Sequence, residues 1–298
     1  MKSHSVAWLR WPSVARDLHH RFLTRLANES GDSFYLPRIR EHRRGLDKYR
    51  SQTSILRARI DCMRVEPYGV GSIMHVTKRG VRGTDITRDI SDQHRFAKLL
   101  FYMNDTFQND NWKKNIEGRP AFFRPEWWPE REPLTRILAW TLMPNHVHLL
   151  VEETREGGTA KFLQRVFGSM TSHFNAKHKE RGSLFQGAYR SRTVSEDTHL
   201  RYLTFYIQIK NVLELYPGGL KRAIERFDDA WDWAIRYKFS SLPVFLSIIK
   251  SPITEDESLR ALYPDLRVFK DEARELLTSH VEHHATDEKL SSLILEPW

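Results

Sequence analysis

Two histidines separated by one residue, His146 and His148, are the side chains of this sequence best suited to chemistry. They lie in an apolar run that is typical of a β-strand, where residues two apart project from the same face. Two imidazoles side by side can bind a divalent metal ion. Because an isolated His-x-His pattern is more often a pair of solvent-facing strand histidines, the surrounding sequence has to decide between these interpretations.

Tyrosines lie after the two histidines at a point where they could act as nucleophiles. Tyr202, Tyr206 and Tyr216 share one predicted helix, and Tyr189 lies in the loop before it. A phenol oxygen could act as a nucleophile if a neighbouring acceptor or the field of a bound metal ion helped it to lose its proton. A tyrosine that only packs its ring on the sheet is the alternative interpretation.

The elements that must position these side chains alternate between strand and helix. Apolar spacing and turn residues predict a strand over 72–78, a helix over 92–104, a strand-like stretch over 137–152 with a bend at Met143-Pro144-Asn145, a helix over 159–178, a basic and aromatic loop over 181–192, and a helix over 198–216 that ends at Pro217-Gly218-Gly219. This order predicts an α+β fold in which helices cover one face of a sheet.

Composition limits the class of protein. The 298 residues are 40% hydrophobic and 12% aromatic, as in a globular chain, and the net charge of +9 favours a polyanionic partner such as nucleic acid. The single cysteine, Cys62, excludes an internal disulfide and a cysteine-based zinc finger and indicates a reducing compartment. Since no long apolar run is present, we expect a cytoplasmic protein without a membrane partner.

The sequence around the histidine pair resembles a known family. The run Leu142–Val151, LMPNHVHLLV, is similar to the signature strand of the single-tyrosine HUH transposases, which include the REP-associated tyrosine transposases and the IS200-like transposases. The resemblance continues in HVTKRG at 75–80, GSLFQGAYRS at 182–191 and YLTFYI at 202–207, and it covers about residues 63–216. It implies a ferredoxin-like antiparallel sheet, a Mg²⁺ or Mn²⁺ cofactor, recognition of single-stranded or hairpin DNA, and cleavage and rejoining of one strand.

The same resemblance implies roles for individual residues. Tyr206 occupies the position of the family's nucleophile, which forms a 5′-phosphotyrosine, whereas Tyr202 would be a core residue one turn earlier. His146 and His148 would bind the metal ion. DNA contacts are expected from six cations beside the sheet and the tyrosine helix, namely Lys78, Arg79, Arg82, Arg190, Arg192 and Lys210.

One position departs from the family's pattern. Relatives commonly carry Gln or Asn one turn after the tyrosine as a third metal ligand, but here that position is Lys210, and a protonated amine has no lone pair to donate. Three alternatives remain open: Asn211 or Gln208 reaches the metal through a shifted helix, DNA and water complete the coordination, or Lys210 binds the scissile phosphate. Gln208 is the awkward candidate because two residues around a helix point it away from Tyr206.

We expect three segments along the chain. Residues 1–62 form a basic N-terminal arm, residues 63–219 form the catalytic domain, and residues 220–298 form a helical C-terminal appendage. A start codon assigned too far upstream is the alternative explanation for residues 1–62. In that appendage His280, His283 and His284 have a spacing that could suit a metal ion, but the family has no counterpart to them, and we interpret them as a solvated helix face. The sequence leaves a monomer and a homodimer as alternatives. It also leaves two other functions open, a hairpin-binding regulator that has lost cleavage and a metal-dependent phosphodiesterase.

Overall fold

A computed structural model describes residues 68–263 and 265–283, together with Leu295. The chain divides into two compact units, Met1–Arg59 and Ile60–Trp298, and all the described residues belong to the second. The predicted basic arm, 1–62, lies outside the described residues. Among the helices of the described part, none is long and apolar enough to cross a membrane.

A four-stranded antiparallel sheet forms the centre of the second unit. Its strands are β1 (Ile73–Arg79), β2 (Arg136–Leu142), β3 (His146–Glu152) and β4 (Arg190–Val194), in the spatial order β2-β3-β1-β4. Helix α1 (Ile90–Tyr102) comes after β1, and helix α3 (Gly158–His178) comes after β3, so the chain runs βαββαβ. This order confirms the predicted α+β, ferredoxin-like fold.

The edge strand β4 was not predicted. We expected a loop over 181–192, but Arg190–Val194 pairs with β1 along its length. Its sequence, RSRTV, carries two arginines and no apolar alternation, and the β pairing with β1 overrides that weak local signal. Arg190 and Arg192 are therefore strand residues, and the sheet fixes the direction of their side chains.

Alternation along the strands separates an apolar face from a polar one. Met74 and Val76 of β1 and Val147 and Leu149 of β3 are buried in one core with α1 and α3. Successive strand residues point to opposite faces, so His75, Thr77, His146 and His148 must project from the other face. Helices therefore cover the apolar face as predicted.

The polar face is covered as well, by a second helical layer. This layer contains α4 (Asp197–Phe205), a π-helical segment (Tyr206–Lys210), α5 (Asn211–Leu213), α6 (Gly219–Glu225), α7 (Phe227–Ala234), α8 (Leu242–Phe245), α9 (Glu257–Leu262) and α10 (Leu266–His283). Leu138 and Leu150 from the sheet share its core with Leu203 and Phe245. Between Ile137 and Ala139 the pairing of β2 with β3 shifts register, and both Leu138 and Ala139 belong to this second core.

Helix α1 begins at a capping site that also anchors α3. The Asp89 side chain accepts hydrogen bonds from the backbone N–H groups of Ser91 and Asp92, as expected of an N-cap. The fully buried Asp92 carboxylate accepts from Lys177 Nζ at 2.8 Å and contacts His178 Nε2 at 2.8 Å. This buried ion pair joins the two helices on the apolar side of the sheet.

We predict that Asp92→Ala lowers the free energy of unfolding by about 3 kcal/mol, because it leaves the Lys177 ammonium without its buried partner. Asp89→Ala is the matched control: Asp89 also contacts Lys177 but is exposed, so its loss should cost less than that of Asp92, mainly through the lost N-cap hydrogen bonds. Urea unfolding of both variants measures the difference, and equal losses would contradict a structural role for the buried carboxylate.

Candidate functional site

Strand pairing brings the predicted metal ligands into a row of polar residues on the covered face. His148 of β3 is opposite Thr77 of β1 and Thr141 of β2, and Thr77 in turn is opposite Arg190 of β4. Two residues along β3, His146 is opposite Arg79. Cross-strand partners project from the same face, so the two histidines and two arginines line one side of the sheet.

Tyr206 lies against this row and Tyr202 does not. The ring centroid of Tyr206 is 5.5 Å from that of His148 and 6.0 Å from that of His75. The Tyr202 hydroxyl instead lies 3.1 Å from His280 Nδ1 in α10. Tyr216 stacks edge-on against Trp233, and the half-buried Tyr189 packs on the core at the other face of the sheet. Of the four tyrosines considered, Tyr206 is the one next to the histidine pair.

His75 is a site residue that the sequence did not single out. Its Nε2 atom is 2.9 Å from Nδ1 of His148, and both rings are fully buried. Burial lowers the pKa of His75 to about 3, helped by the charges of His199 and Arg192, and burial likewise holds the pKa of His148 well below its usual value. Both imidazoles are therefore neutral near pH 7, the form that can ligate a metal ion. The sequence could have indicated His75 as a site residue only if the register of β1 against β3 had been known.

A π-helical segment alters the spacing of the residues after Tyr206. The backbone N–H of Asn211 bonds to the carbonyl of Tyr206, five residues back instead of four, so one extra residue is accommodated in this turn. The expected position of the third ligand, one turn after Tyr206, consequently shifts from Lys210 to Asn211. Gln208 has another role, since its amide oxygen accepts a hydrogen bond from the Ser241 hydroxyl at 3.2 Å.

Several buried polar atoms at this site lack hydrogen-bond partners among the described residues. They include His148 Nε2, both amide atoms of Asn211, and Thr77 Oγ1. An unsatisfied buried polar atom costs about 1–3 kcal/mol, so such a group needs an explanation. An imidazole nitrogen and an amide oxygen can each ligate a divalent cation. The burial of these atoms beside His146 fits the binding of such a cation.

The family comparison agrees with this geometry. Residues 131–210 match the sequence model of the family described as "Transposase IS200 like". That segment contains β2, β3, α3 and β4 and extends through Tyr206 to Lys210, so it holds both strand histidines and the tyrosine. Over this segment, about a quarter of the chain, the sequence is similar to the IS200-like transposases.

Comparisons with other proteins add little to this family match. The structure of a REP-associated tyrosine transposase bound to a REP hairpin matches with 11% identity and a TM-score of 0.37, covering 64% of this chain and 88% of that one. A bacterial tRNA(His) guanylyltransferase-like protein with GTP matches with 13% identity and a TM-score of 0.30, covering 63% and 78%. Both scores are too low to bear on function. No curated protein sequence matches the chain.

Five of the six predicted DNA-contacting cations lie on the histidine face, beside Tyr206 or in an exposed turn. Arg79, Arg190 and Arg192 occupy strand positions on the histidine face, and Lys210 places its ammonium 4.7 Å from the Tyr206 ring centroid while pairing with Glu214 at 2.7 Å. Arg82 is exposed in the 3₁₀ turn Val81–Gly83.

Lys78 is placed differently from the other five. It lies on the apolar face, where its ammonium donates to the Gly187 carbonyl beside the rings of Phe167 and Phe185, and burial lowers its pKa to about 8. Lys78 therefore ties the loop before β4 to the core in this conformation, so we expect a structural role for it.

Another cluster with metal-binding residue types has a structural explanation. Asp89, Asp92 and His178 come close enough together to hold an ion. The Lys177 ammonium, however, lies 2.6 Å from Asp89 Oδ2 and 2.8 Å from Asp92 Oδ1, so an amino cation already balances these carboxylates. This cluster is separated from Tyr206 by the sheet.

The predicted solvated histidine face of α10 is wrong at His280. This residue is 5% exposed, and its ring centroid is 6.2 Å from that of Tyr206. His280 lies on the same buried face of the helix as Phe269, Ala273 and Leu277. The spacing of these three residues indicates this face, but the prediction considered only the spacing of the histidines. The side chains of His283 and His284 lie outside the described part of the structure.

We predict that Asn211→Leu raises the free energy of unfolding by about 1 kcal/mol in chelator, because it replaces an amide that makes no hydrogen bond to the described residues. Asn104→Leu is the control: its buried amide bonds to Leu134 and Thr135, so its loss should cost about 3 kcal/mol. Thermal and urea unfolding compare the two. A similar loss for both would mean that Asn211 has ordinary structural partners.

Proposed function

We propose that this protein is an IS200-like transposase that cleaves and rejoins single-stranded DNA at hairpin-flanked sites through a 5′-phosphotyrosine at Tyr206, with a divalent metal ion, Mg²⁺ or Mn²⁺, at His146, His148 and Asn211. The observation that carries the proposal is the contact of the Tyr206 ring with His148, whose Nε2 atom has no partner among the described residues. A nucleophile and a metal-ligand candidate thus share one face of one sheet.

The hydrogen bond between His75 and His148 determines which nitrogen of His148 can bind a metal ion. If Nδ1–H of His148 donates to Nε2 of His75, then Nε2 of His148 keeps its lone pair. The low pKa of His75 keeps that acceptor unprotonated near pH 7. His75 would therefore act as a positioning residue, which orients His148 and fixes its tautomer without touching the DNA.

Residues of the chain supply the parts of the reaction that do not depend on the metal ion. Tyr206 Oη forms a bond to phosphorus, the bond from phosphorus to the 3′ oxygen breaks, the phenolic proton leaves to a base, and the 3′ oxygen gains a proton. Arg190 and Arg192 lie on the face where the phosphate would bind and can donate to its oxygens. When bound, the metal ion would stabilise the charge that develops on the phosphate.

Rejoining needs no other energy source. The phosphotyrosine linkage replaces one phosphodiester with another, so a free 3′-hydroxyl can attack it and release Tyr206. A strand end from a different site can do the same, which converts cleavage into transfer. Lys210 puts a positive charge beside the ring of the leaving phenolate, although its ion pair with Glu214 reduces the effect.

A second candidate is a DNA-binding regulator that retains the fold without cleavage. Burial favours this alternative, because Tyr206 is 0% exposed and the ring of His280 in α10 lies against it. A DNA strand can reach Tyr206 only if side chains of this layer move. A covalent adduct with DNA distinguishes the two functions, since the regulator would bind hairpins and form none.

We predict that Tyr206→Phe abolishes the covalent adduct with a single-stranded hairpin substrate and leaves hairpin affinity within about twofold, because only the attacking oxygen is removed. Tyr202→Phe is the matched control and should retain the adduct, since the hydroxyl that it removes contacts His280. Denaturing gels and anisotropy measure the two quantities. An adduct formed by Tyr206→Phe would reject the assignment, and cleavage that survives this change would instead indicate a phosphodiesterase whose histidines act directly.

A second prediction concerns the metal ligands. His148→Ala and Asn211→Ala should each lower Mn²⁺ affinity and adduct yield by roughly tenfold or more, as expected for a lost ligand. Gln208→Ala is the control, because Gln208 is turned toward Ser241 and should leave Mn²⁺ affinity unchanged. Calorimetric Mn²⁺ titration tests the site independently of activity. Adduct formation that persists in chelator would contradict the metal role.

A further inference from the structure

A groove with a cationic lining lies on the helical layer that covers the apolar face of the sheet, away from Tyr206. It runs between α1, the short helix α2 (Trp112–Asn115) and α3, and has a volume of about 530 Å³. Its lining includes Arg95, Trp112, Lys113, Ser169, His173 and Lys177.

Arg95 is the central cation of this groove. Its Nη2 atom donates to the Ser169 hydroxyl at 2.9 Å, and its guanidinium carbon lies 4.4 Å from the ring centroid of Trp112. Its Nε atom is buried and has no hydrogen-bond partner among the described residues, none of which offers it a carboxylate. Burial lowers its pKa to about 10, so the guanidinium is still charged near pH 7. A guanidinium held in place by the Ser169 hydroxyl and the Trp112 ring suits a phosphate oxygen.

Lys113 adds a second positive charge close to Arg95. Burial lowers the pKa of Lys113, and the charge of Arg95 lowers it further, which indicates that the two cations repel each other. Asp110 also lines the groove, but it forms no ion pair with either cation within the described part of the chain. An anion placed between the two would relieve this repulsion.

Two other ionisable groups of the lining, Lys177 and His173, add no unbalanced positive charge. Lys177 is paired with Asp89 and Asp92, and His173 Nε2 lies 3.4 Å from Asp92 Oδ1. Burial, together with Arg95, lowers the pKa of His173, so this ring is neutral near pH 7. The unbalanced positive charge of the groove therefore belongs to Arg95 and Lys113.

We propose that this groove is a phosphate-binding site, in which Arg95 and Lys113 bind the oxyanion. The phosphate can come from the backbone of single-stranded DNA or from a free phosphate compound. The site does not rest on the chemistry assigned to Tyr206, since the two lie on opposite sides of the sheet. If the phosphate belongs to the DNA backbone, the DNA strand would contact both helical layers of the protein.

The experiment compares neighbouring lysines in the full-length Tyr206→Phe protein, so that binding is measured without cleavage. Lys113→Gln removes a lining charge, and Lys114→Gln removes an equally exposed charge from the same helix that does not line the groove. Labelled oligothymidine, followed by anisotropy over a range of salt concentrations, probes the DNA backbone. Inorganic phosphate, titrated by calorimetry, probes free phosphate. Thermal unfolding followed by circular dichroism checks that both variants unfold at the same temperature as the Tyr206→Phe protein.

We expect Lys113→Gln to weaken oligothymidine binding roughly three- to tenfold and to reduce the slope of log affinity against log salt by about one, whereas Lys114→Gln changes neither. Phosphate binding that is lost only in Lys113→Gln, with oligothymidine binding unchanged, would assign the same site to free phosphate. If the two variants bind both probes equally well, or lose binding equally, the groove is not a phosphate site.

Discussion

The backbone ladder between β1 and β3 is the constraint on which the site depends. Its register places His148 opposite Thr77, two residues along β1 from His75, and a shift of β3 by one residue would turn His146 and His148 toward the apolar core. Val147 and Leu149 on the other face of β3 oppose that shift, because it would move them to the polar face. The hydrophobic core beneath α1 and α3 thus holds the polar residues in register, although it touches none of them.

The second constraint is the single extra residue in the helix after β4. A regular helix would place Lys210 one turn after Tyr206, and an ammonium cannot ligate a metal ion. The π-helical turn advances Asn211 into that position and lets Lys210 pair with Glu214. Turns of this kind have poorer hydrogen-bond geometry than an α-helix and occur frequently at functional sites. Lys210 is therefore accompanied by a local change in the backbone.

The limits of the sequence prediction arise from the range of each interaction. Strong local patterns predicted β1, β3, α1 and α3 to within two residues, because apolar spacing and the Asp89 cap act over one or two turns. Strand β4 was missed because its pairing with β1 is not local. His75 and His280 were missed for the same reason: their roles arise from contacts with His148 and Tyr202, 73 and 78 residues away in sequence. The π-helical turn leaves no clear mark in the sequence YIQIK.

Burial of the polar face affects both the stability of the protein and the binding of ligands at this face. Neutral imidazoles and an unsatisfied amide lie beneath a helical layer whose other residues, such as Leu203 and Phe245, are apolar. Each buried polar atom without a partner raises the free energy of the folded protein, so binding of a cation or a phosphate here would be favoured by relief of that cost. The same layer buries Tyr206, so a DNA strand can reach this tyrosine only if side chains of the layer move.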